Sequence, residues 1–195
     1  MVTARTWTVE DLETLPDDDG NRYEIIDGEL HVSTAPGIEH QLVYGNLYGE
    51  LRTWSRQTGR GFAILTPGVI FTRDNAVIPD LAVIPDLVWL SHERYAAARG
   101  DDHRLHRAPE LVVEALSPGT ANSRRDREAK LRLYSQQGVE EYWIVDWTTR
   151  TMEVYRRSDD ALARAMTLTE HDLLETPLLP GFSLPLHVIF ENIRA

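Results

Sequence analysis

The chain has 195 residues, which at about 150 residues per domain reads as one domain over 1–195, long enough to bury around 70% of the surface its unfolded form exposes. Thirty-one acidic against 20 basic residues leave a net charge of −11, so non-specific adhesion to nucleic acid or anionic membrane is disfavoured and a polyanion partner needs a local basic patch or a metal ion. There is no cysteine, which excludes a disulfide scaffold, a thiolate metal site, a cysteine nucleophile and an iron–sulfur cluster, and fits a cytoplasmic setting.

Met1 to Arg5 leads into acidic, polar chain and lacks the form of a signal peptide. No apolar run approaches the roughly 20 residues of a membrane span, so no membrane partner is expected. Thr8–Leu15 reads as a short helix, with Val9, Leu12 and Leu15 at helical spacing. Residues 22–26 and 29–32 read as strands around Asp27-Gly28, a strong hairpin signal. Residues 38–57 carry Leu42, Val43, Leu47, Leu51 and Trp54 on one side of a long helix, which Gly59 to Gly61 ends. Strands are expected at 62–65, 69–72 and 77–84, and a short helix at 91–99. Residues 100–108 read as an exposed loop. Residues 111–116 form an apolar run broken only by Glu114, which suits a buried central strand. A second long helix is expected over 122–137, capped by Gly138. Residues 141–146 and 151–156 read as paired strands, and 163–168 as one more. Pro177, Pro180 and Pro185 mark a mostly irregular tail. The pattern predicts an α/β (α+β) fold around a mixed sheet.

Three acids stand inside these hydrophobic runs: Glu24, Asp80 and Glu114. An ionised carboxylate in a core strand costs several kcal/mol unless it is paired or binds a metal. A hard divalent cation, Mg²⁺ or Mn²⁺, is one common counter-charge for all three, since such ions are held by one or two carboxylates plus water and substrate phosphate. The alternative is that each acid faces water or pairs with an arginine.

Lys130 is the only lysine; the other 19 basic residues are arginines. At about 100° per residue, Arg125, Glu128, Arg132 and Gln136 share the outer arc of the 122–137 helix. Arg127, Lys130, Leu131, Leu133 and Tyr134 share the inner arc. A buried ammonium is a compact point charge with three donors, suited to orienting a nucleophilic water or holding a developing oxyanion. The alternative is a plain helical pairing with Asp126, four residues earlier.

Several segments, taken in order, carry a resemblance: Tyr23-Glu24-Ile25-Ile26-Asp27-Gly28-Glu29-Leu30, Glu39-His40-Gln41, Pro79-Asp80-Leu81-Ala82-Val83, residues 109–118 around Glu114, Lys130 with Tyr134, and residues 138–146. Together they resemble the Uma-two family of endonucleases, formerly a domain of unknown function, within the PD-(D/E)XK, restriction-endonuclease-like superfamily. The resemblance spans about residues 22–185. It implies a four- or five-stranded mixed sheet flanked by helices. It implies Asp80 and Glu114 as ligands of Mg²⁺ or Mn²⁺, with the Ala115 carbonyl as a further ligand and Glu24 as an extra acid. The lysine usually found two residues after the second acid is Leu116 here, and the resemblance puts Lys130 in its place. His40 matches a family histidine, either contacting water or phosphate or serving the start of its helix.

The function so implied is metal-dependent phosphodiester hydrolysis, with DNA as the expected substrate. Arg124, Arg125, Arg127 and, less surely, Arg132 would supply a local basic stripe for the nucleic acid backbone, unless they are a solvated face paired with Asp126 and Glu128. Two other readings stand beside it: a non-catalytic interaction module on a nuclease scaffold, and hydrolysis of a small phosphoester. Trp143, Trp147 and Tyr142 would suit either a homodimer patch or the core. Convergence of the acids with Lys130 in an open cleft is the feature that separates the nuclease from the module.

Overall fold

The computed structural model describes residues 6–16, 20–34, 36–71, 81–116 and 124–193. The strands β1 (Asn21–Ile26) and β2 (Glu29–Thr34) form the expected hairpin. Asp27 and Gly28 both have positive φ, at 52° and 79°, as the tight turn between them requires. The short strands β4 (Val69–Phe71) and β5 (Leu81–Val83) complete an antiparallel sheet in the order β2-β1-β5-β4.

The larger sheet has six strands in the order β10-β9-β8-β7-β6-β3. They are β3 (Gly61–Leu65), β6 (Leu87–Ser91), β7 (Leu111–Ala115), β8 (Glu141–Asp146), β9 (Thr151–Ser158) and β10 (Ala161–Thr169). Only β7 and β8 run parallel, so the sheet is mixed. A parallel pair needs a crossover, and its described part carries the helical segment 125–136. The expectation of four or five strands is therefore corrected to six in this sheet, with four more in the other.

Alternation along the strands assigns the two faces. Leu111, Val113 and Ala115 of β7, Leu87 and Trp89 of β6, and Trp143 and Val145 of β8 join one core cluster. The helix α2 (Ile38–Thr58) covers it with Val43, Leu47, Leu51 and Trp54. Val112, Val88, Leu90, Tyr142 and Ile144 point the other way. They meet Ile26, Val69, Phe71 and Val83 of the smaller sheet, Ala98 of α3 (His92–Ala98), and Leu133 and Tyr134 of α4 (Leu131–Gln136). Glu114 lies one step along from Val112 on this second face.

Several expectations need correction. The first helix, α1, covers only Val9–Leu12. Of the strand expected at 77–84, the described part is Leu81–Val83; residues 72–80 lie outside the described residues. The run Leu87–Ser91 is a central strand that the sequence reading passed over. The tail is not irregular. Strands β11 (Leu173–Glu175) and β12 (Ser183–Pro185) pair, a 3₁₀ helix follows at Leu186–Phe190, and Leu174, Leu184, Ile189 and Phe190 close the first core. Finally, the expected 122–137 helix begins as a π-helical segment at Arg125–Lys130 before α4. The π-turn shifts the helix wheel, so Arg125 lines a cavity instead of the outer arc.

Glu141 ties the tail to the sheet. It is buried on β8 and accepts hydrogen bonds from Trp143 Nε1 at 2.9 Å, from Arg156 Nε at 2.8 Å and from the Thr176 hydroxyl. Arg156 also donates to the Glu175 carbonyl at 2.8 Å. Removing the carboxylate strands three donors around a cavity. Glu141→Ala is expected to lower unfolding stability by about 3 kcal/mol, read from urea unfolding, and Glu141→Gln by less because one acceptor survives.

Candidate active site

A cavity of about 390 Å³ opens between the β1–β2 hairpin, the start of α2, the strand β7 and the π-helical segment. Its floor is Glu114. The β7 register places this acid on the second face, in a stretch where every residue is buried. Glu24 reaches the cavity from β1, Lys130 and Asp126 from the π-segment, and His40 from the first turn of α2. The remaining acid is Asp86, just before β6. The last registered pair of β6 and β7 is Leu87 with Val113, so continuing the antiparallel register sets Asp86 across from Glu114. All four acids, Lys130 and His40 are between 2% and 5% exposed, so each charge must find its partner inside the protein.

The partners divide the acids into two kinds. Asp86 is surrounded by donors. Ala115 N–H reaches Oδ2 at 2.9 Å, Arg22 Nη1 lies 3.2 Å from Oδ1, and His40 Nε2 lies 3.0 Å from Oδ2. Burial pushes its pKa up, but His40, Lys130 and the Ala115 amide outweigh burial and hold it below the usual carboxylate value. Glu24 is held low in the same way: burial is overcome by Lys130, by the Ile84 N–H on Oε1 at 3.0 Å, and by Arg125. Lys130 Nζ lies 3.1 Å from that same oxygen.

Glu114 and Asp126 lack such a complement. Glu114 Oε1 accepts from Lys130 Nζ at 2.9 Å and from the Tyr134 hydroxyl at 2.8 Å. Burial nevertheless pushes its pKa up to about 8; Lys130 opposes this, while Asp86, Asp126 and Glu24 add to it. Asp126 is raised by burial and by Glu24 and Asp86, against Lys130 and Arg125. The Lys130 ammonium is held charged: burial works against it, and Glu114, Glu24 and Asp126 prevail. The Tyr134 hydroxyl, buried beside Glu114, is pushed well above its ordinary range and stays a donor. The cavity therefore carries more carboxylates than its cations neutralise, and its chemistry favours a further cation.

The residues expected from sequence are placed as follows. Glu114, Lys130, Glu24 and His40 come together in the cavity, with Ala115 at its edge. His40 Nδ1 is buried with no hydrogen-bond partner among the described residues. Asp80 lies outside the described residues. Arg125 lines the cavity, 3.4 Å from Asp126 and 3.9 Å from Glu24. Arg124 is exposed and bonded to Glu128 at 2.9 Å. Arg127 turns to Glu153 at 2.7 Å, and Arg132 to Asp27 at 2.6 Å, neither lining the cavity. Trp143 and Tyr142 are core residues.

Sequence reading missed Asp86 and Arg22, and met Asp126 only as a helical neighbour of Lys130. A signal for Asp86 was present. The chain has two Pro-Asp pairs, Pro79-Asp80 and Pro85-Asp86, and the second directly precedes the apolar run Leu87-Val88-Trp89-Leu90. An acid directly before a buried strand stands at that strand's end, and the register sets Asp86 across from Glu114. Arg22 sits in a polar hairpin strand, where nothing local distinguishes it from a surface arginine.

Comparison with known proteins bears on the fold and the family. The fold is similar to the crystal structure of "a putative nuclease belonging to DUF820" from Anabaena variabilis, with a TM-score of 0.72 and 18% identity over 94% of this chain and 97% of that one. A search of curated proteins finds no match. The model of the Uma2 family, described as "Putative restriction endonuclease", matches residues 9–187, nearly the whole chain. The chain that buries Glu114, Asp86 and Lys130 in one cavity thus belongs to the Uma2 family of restriction-endonuclease-like proteins.

Proposed function

We propose that this protein is a divalent-metal-dependent phosphodiesterase of the PD-(D/E)XK type, acting on DNA. The observation that carries the reading is the burial of two opposed acids, Asp86 and Glu114, beside the chain's single lysine in one polar cavity. Asp86 takes the role that sequence reading gave to Asp80. Among the described residues no three His, Asp or Glu side chains form a ready-made ligand cluster. Mg²⁺ does not ask for one, since it is commonly held by one or two carboxylates and keeps water and substrate phosphate as its other ligands. The surplus of hard carboxylate oxygens fits Mg²⁺ or Mn²⁺, with Asp86 and Glu114 to hold it and the Ala115 carbonyl nearby. The bound ion would polarise a phosphoryl oxygen and acidify a water.

The protein's own groups set up the rest. His40, Arg22 and the Ala115 amide fix the Asp86 carboxylate in its ionised form and in one orientation. Tyr134 orients Glu114 from below. Lys130 brings a positive charge to the site of attack, where it can position water or offset charge gathering on phosphoryl oxygens. Arg125 and Arg22 give the cavity wall a cationic lining that a phosphate can use on an acidic protein.

Calorimetric titration of Mn²⁺ into the wild type should show about one ion per chain, and Asp86→Asn should abolish it. Cleavage of plasmid DNA with Mg²⁺ or Mn²⁺ should fall at least about 100-fold in Asp86→Asn, Glu114→Gln and Lys130→Ala. Metal binding without cleavage of any DNA form would instead favour the small phosphoester reading, and absence of both metal binding and cleavage in the wild type would favour the interaction module.

Glu114 also predicts a pH dependence that needs no substrate. Its ordinary pKa is 4.5 and burial among acids raises it to about 8 in the folded chain. Between these values the folded state holds a proton that the unfolded state has released, so stability falls as pH rises through the window. Glu24 and Asp86 are shifted the other way, so their contribution is lost only in more acidic solution. The metal-free protein should melt at progressively lower temperature between about pH 5 and pH 8, and Glu114→Gln should flatten that slope.

A further inference from the structure

The Lys130 ammonium has three N–H bonds and three acids around it. Glu114 Oε1 lies at 2.9 Å, Glu24 Oε1 at 3.1 Å and Asp126 Oδ1 at 3.7 Å. The proposed metal ligation weakens this hold, because the ammonium and the Tyr134 hydroxyl both take Glu114 Oε1, and a carboxylate whose other oxygen binds a divalent cation is a poorer acceptor for an ammonium. A lysine that loses its nearest partner inside the protein must be held by something else, or it swings away or takes in water.

Asp126 stands four residues before Lys130, the spacing that puts two side chains on one helix face, and the backbone around them is unusual. In a regular α-helix Arg125 and Lys130 would stand about 140° apart around the axis. The π-turn closes its ring five residues on and brings Arg125, Asp126 and Lys130 to one wall. The buried Tyr142 hydroxyl, on β8, donates to the Asp126 carbonyl at 3.1 Å, taking an acceptor that an α-helical turn would use internally. The sheet thus supports the turn that carries Asp126. Asp126 is 2% exposed, and its side-chain contacts within the cavity are Arg125 at 3.4 Å and Lys130.

We propose that Asp126 is a positioning residue: with Glu24 it forms an acidic clamp that keeps the Lys130 ammonium in the cavity when a divalent cation draws Glu114 away. This rests on the metal reading above. In the metal-free protein Lys130 is locked on Glu114 and Glu24. With the cation bound, Asp126 closes on the ammonium, and one N–H is left to face water or phosphate.

Because the chain has a single lysine, protein labelled with ¹⁵N-lysine gives one ε-ammonium resonance, which can be followed with Mg²⁺ alone. In the wild type that resonance should be visible without metal, shift on adding Mg²⁺ and remain visible. In Asp126→Asn it should be visible without metal, since Glu114 and Glu24 still hold it, and be lost to exchange with water once Mg²⁺ is added. Asp126→Glu should restore it. Retention of the Mg²⁺-shifted resonance in Asp126→Asn overturns the clamp while leaving the metal site standing. A wild-type resonance that Mg²⁺ does not move overturns the clamp together with the metal reading. Should Asp126→Asn fail to fold, Glu24→Gln removes the other arm of the clamp while Glu114 and Asp126 still hold the ammonium without metal. Loss of the resonance with Mg²⁺ supports the clamp there, and its retention overturns it.

Discussion

A buried ammonium cannot be left alone, and much of this structure follows from where Lys130 finds its partners. An unpaired charge at that depth costs several kcal/mol, more than most single interactions contribute to a fold. Its three acids come from the first hairpin, the central strand and its own helical segment, which lie far apart in sequence. Meeting at one nitrogen sets the register of these elements against each other. The hairpin and the helical segment 125–136 meet over the second face of the larger sheet, and the cavity lies between them.

The same strand serves the core and the site. On β7, Leu111, Val113 and Ala115 pack beneath α2, while Val112 and Glu114 face the other layer. Strand alternation alone decides that the acid is separated from the main hydrophobic cluster by one sheet thickness. The apolar residues beside it exclude water, and that raises the cost of its charge. Tyr134 and Tyr142 stack edge-on, 5.0 Å between ring centres, and pass the apolar layer into the polar one through their hydroxyls. Their partners are Glu114 and the Asp126 carbonyl, so the aromatic pair supports both walls of the cavity.

Electrostatics then sorts four acids that look alike. Asp86 and Glu24 each accept backbone amide hydrogens as well as cationic side chains, and both remain ionised. Glu114 and Asp126 share cations that are already engaged, and burial wins. Against an overall charge of −11, Arg22 and Arg125 line one wall of the cavity, while the stripe expected from Arg124 and Arg127 is spent on Glu128 and Glu153.

Much was legible in the sequence because its physics is local. The Asp27-Gly28 turn, the long α2, the Gly59 and Gly138 stops and the strand around Glu114 each rest on backbone preference or short-range periodicity. Glu114, Glu24 and Lys130 stood out because charges in apolar surroundings, and a lone lysine among arginines, are anomalies in composition. Tertiary structure decided what depends on distant partners. That Asp86 meets Glu114 is a matter of strand register, and the short run Leu87–Ser91 becomes a central strand only because β3 and β7 flank it. The tail becomes ordered because its scattered leucines and phenylalanines fall on an open core face. The π-turn has a tyrosine from a neighbouring strand bonded to one of its carbonyls, a partner that residues 125–130 do not announce. A sequence displays the cost of burying a charge; only the folded chain shows which groups share it.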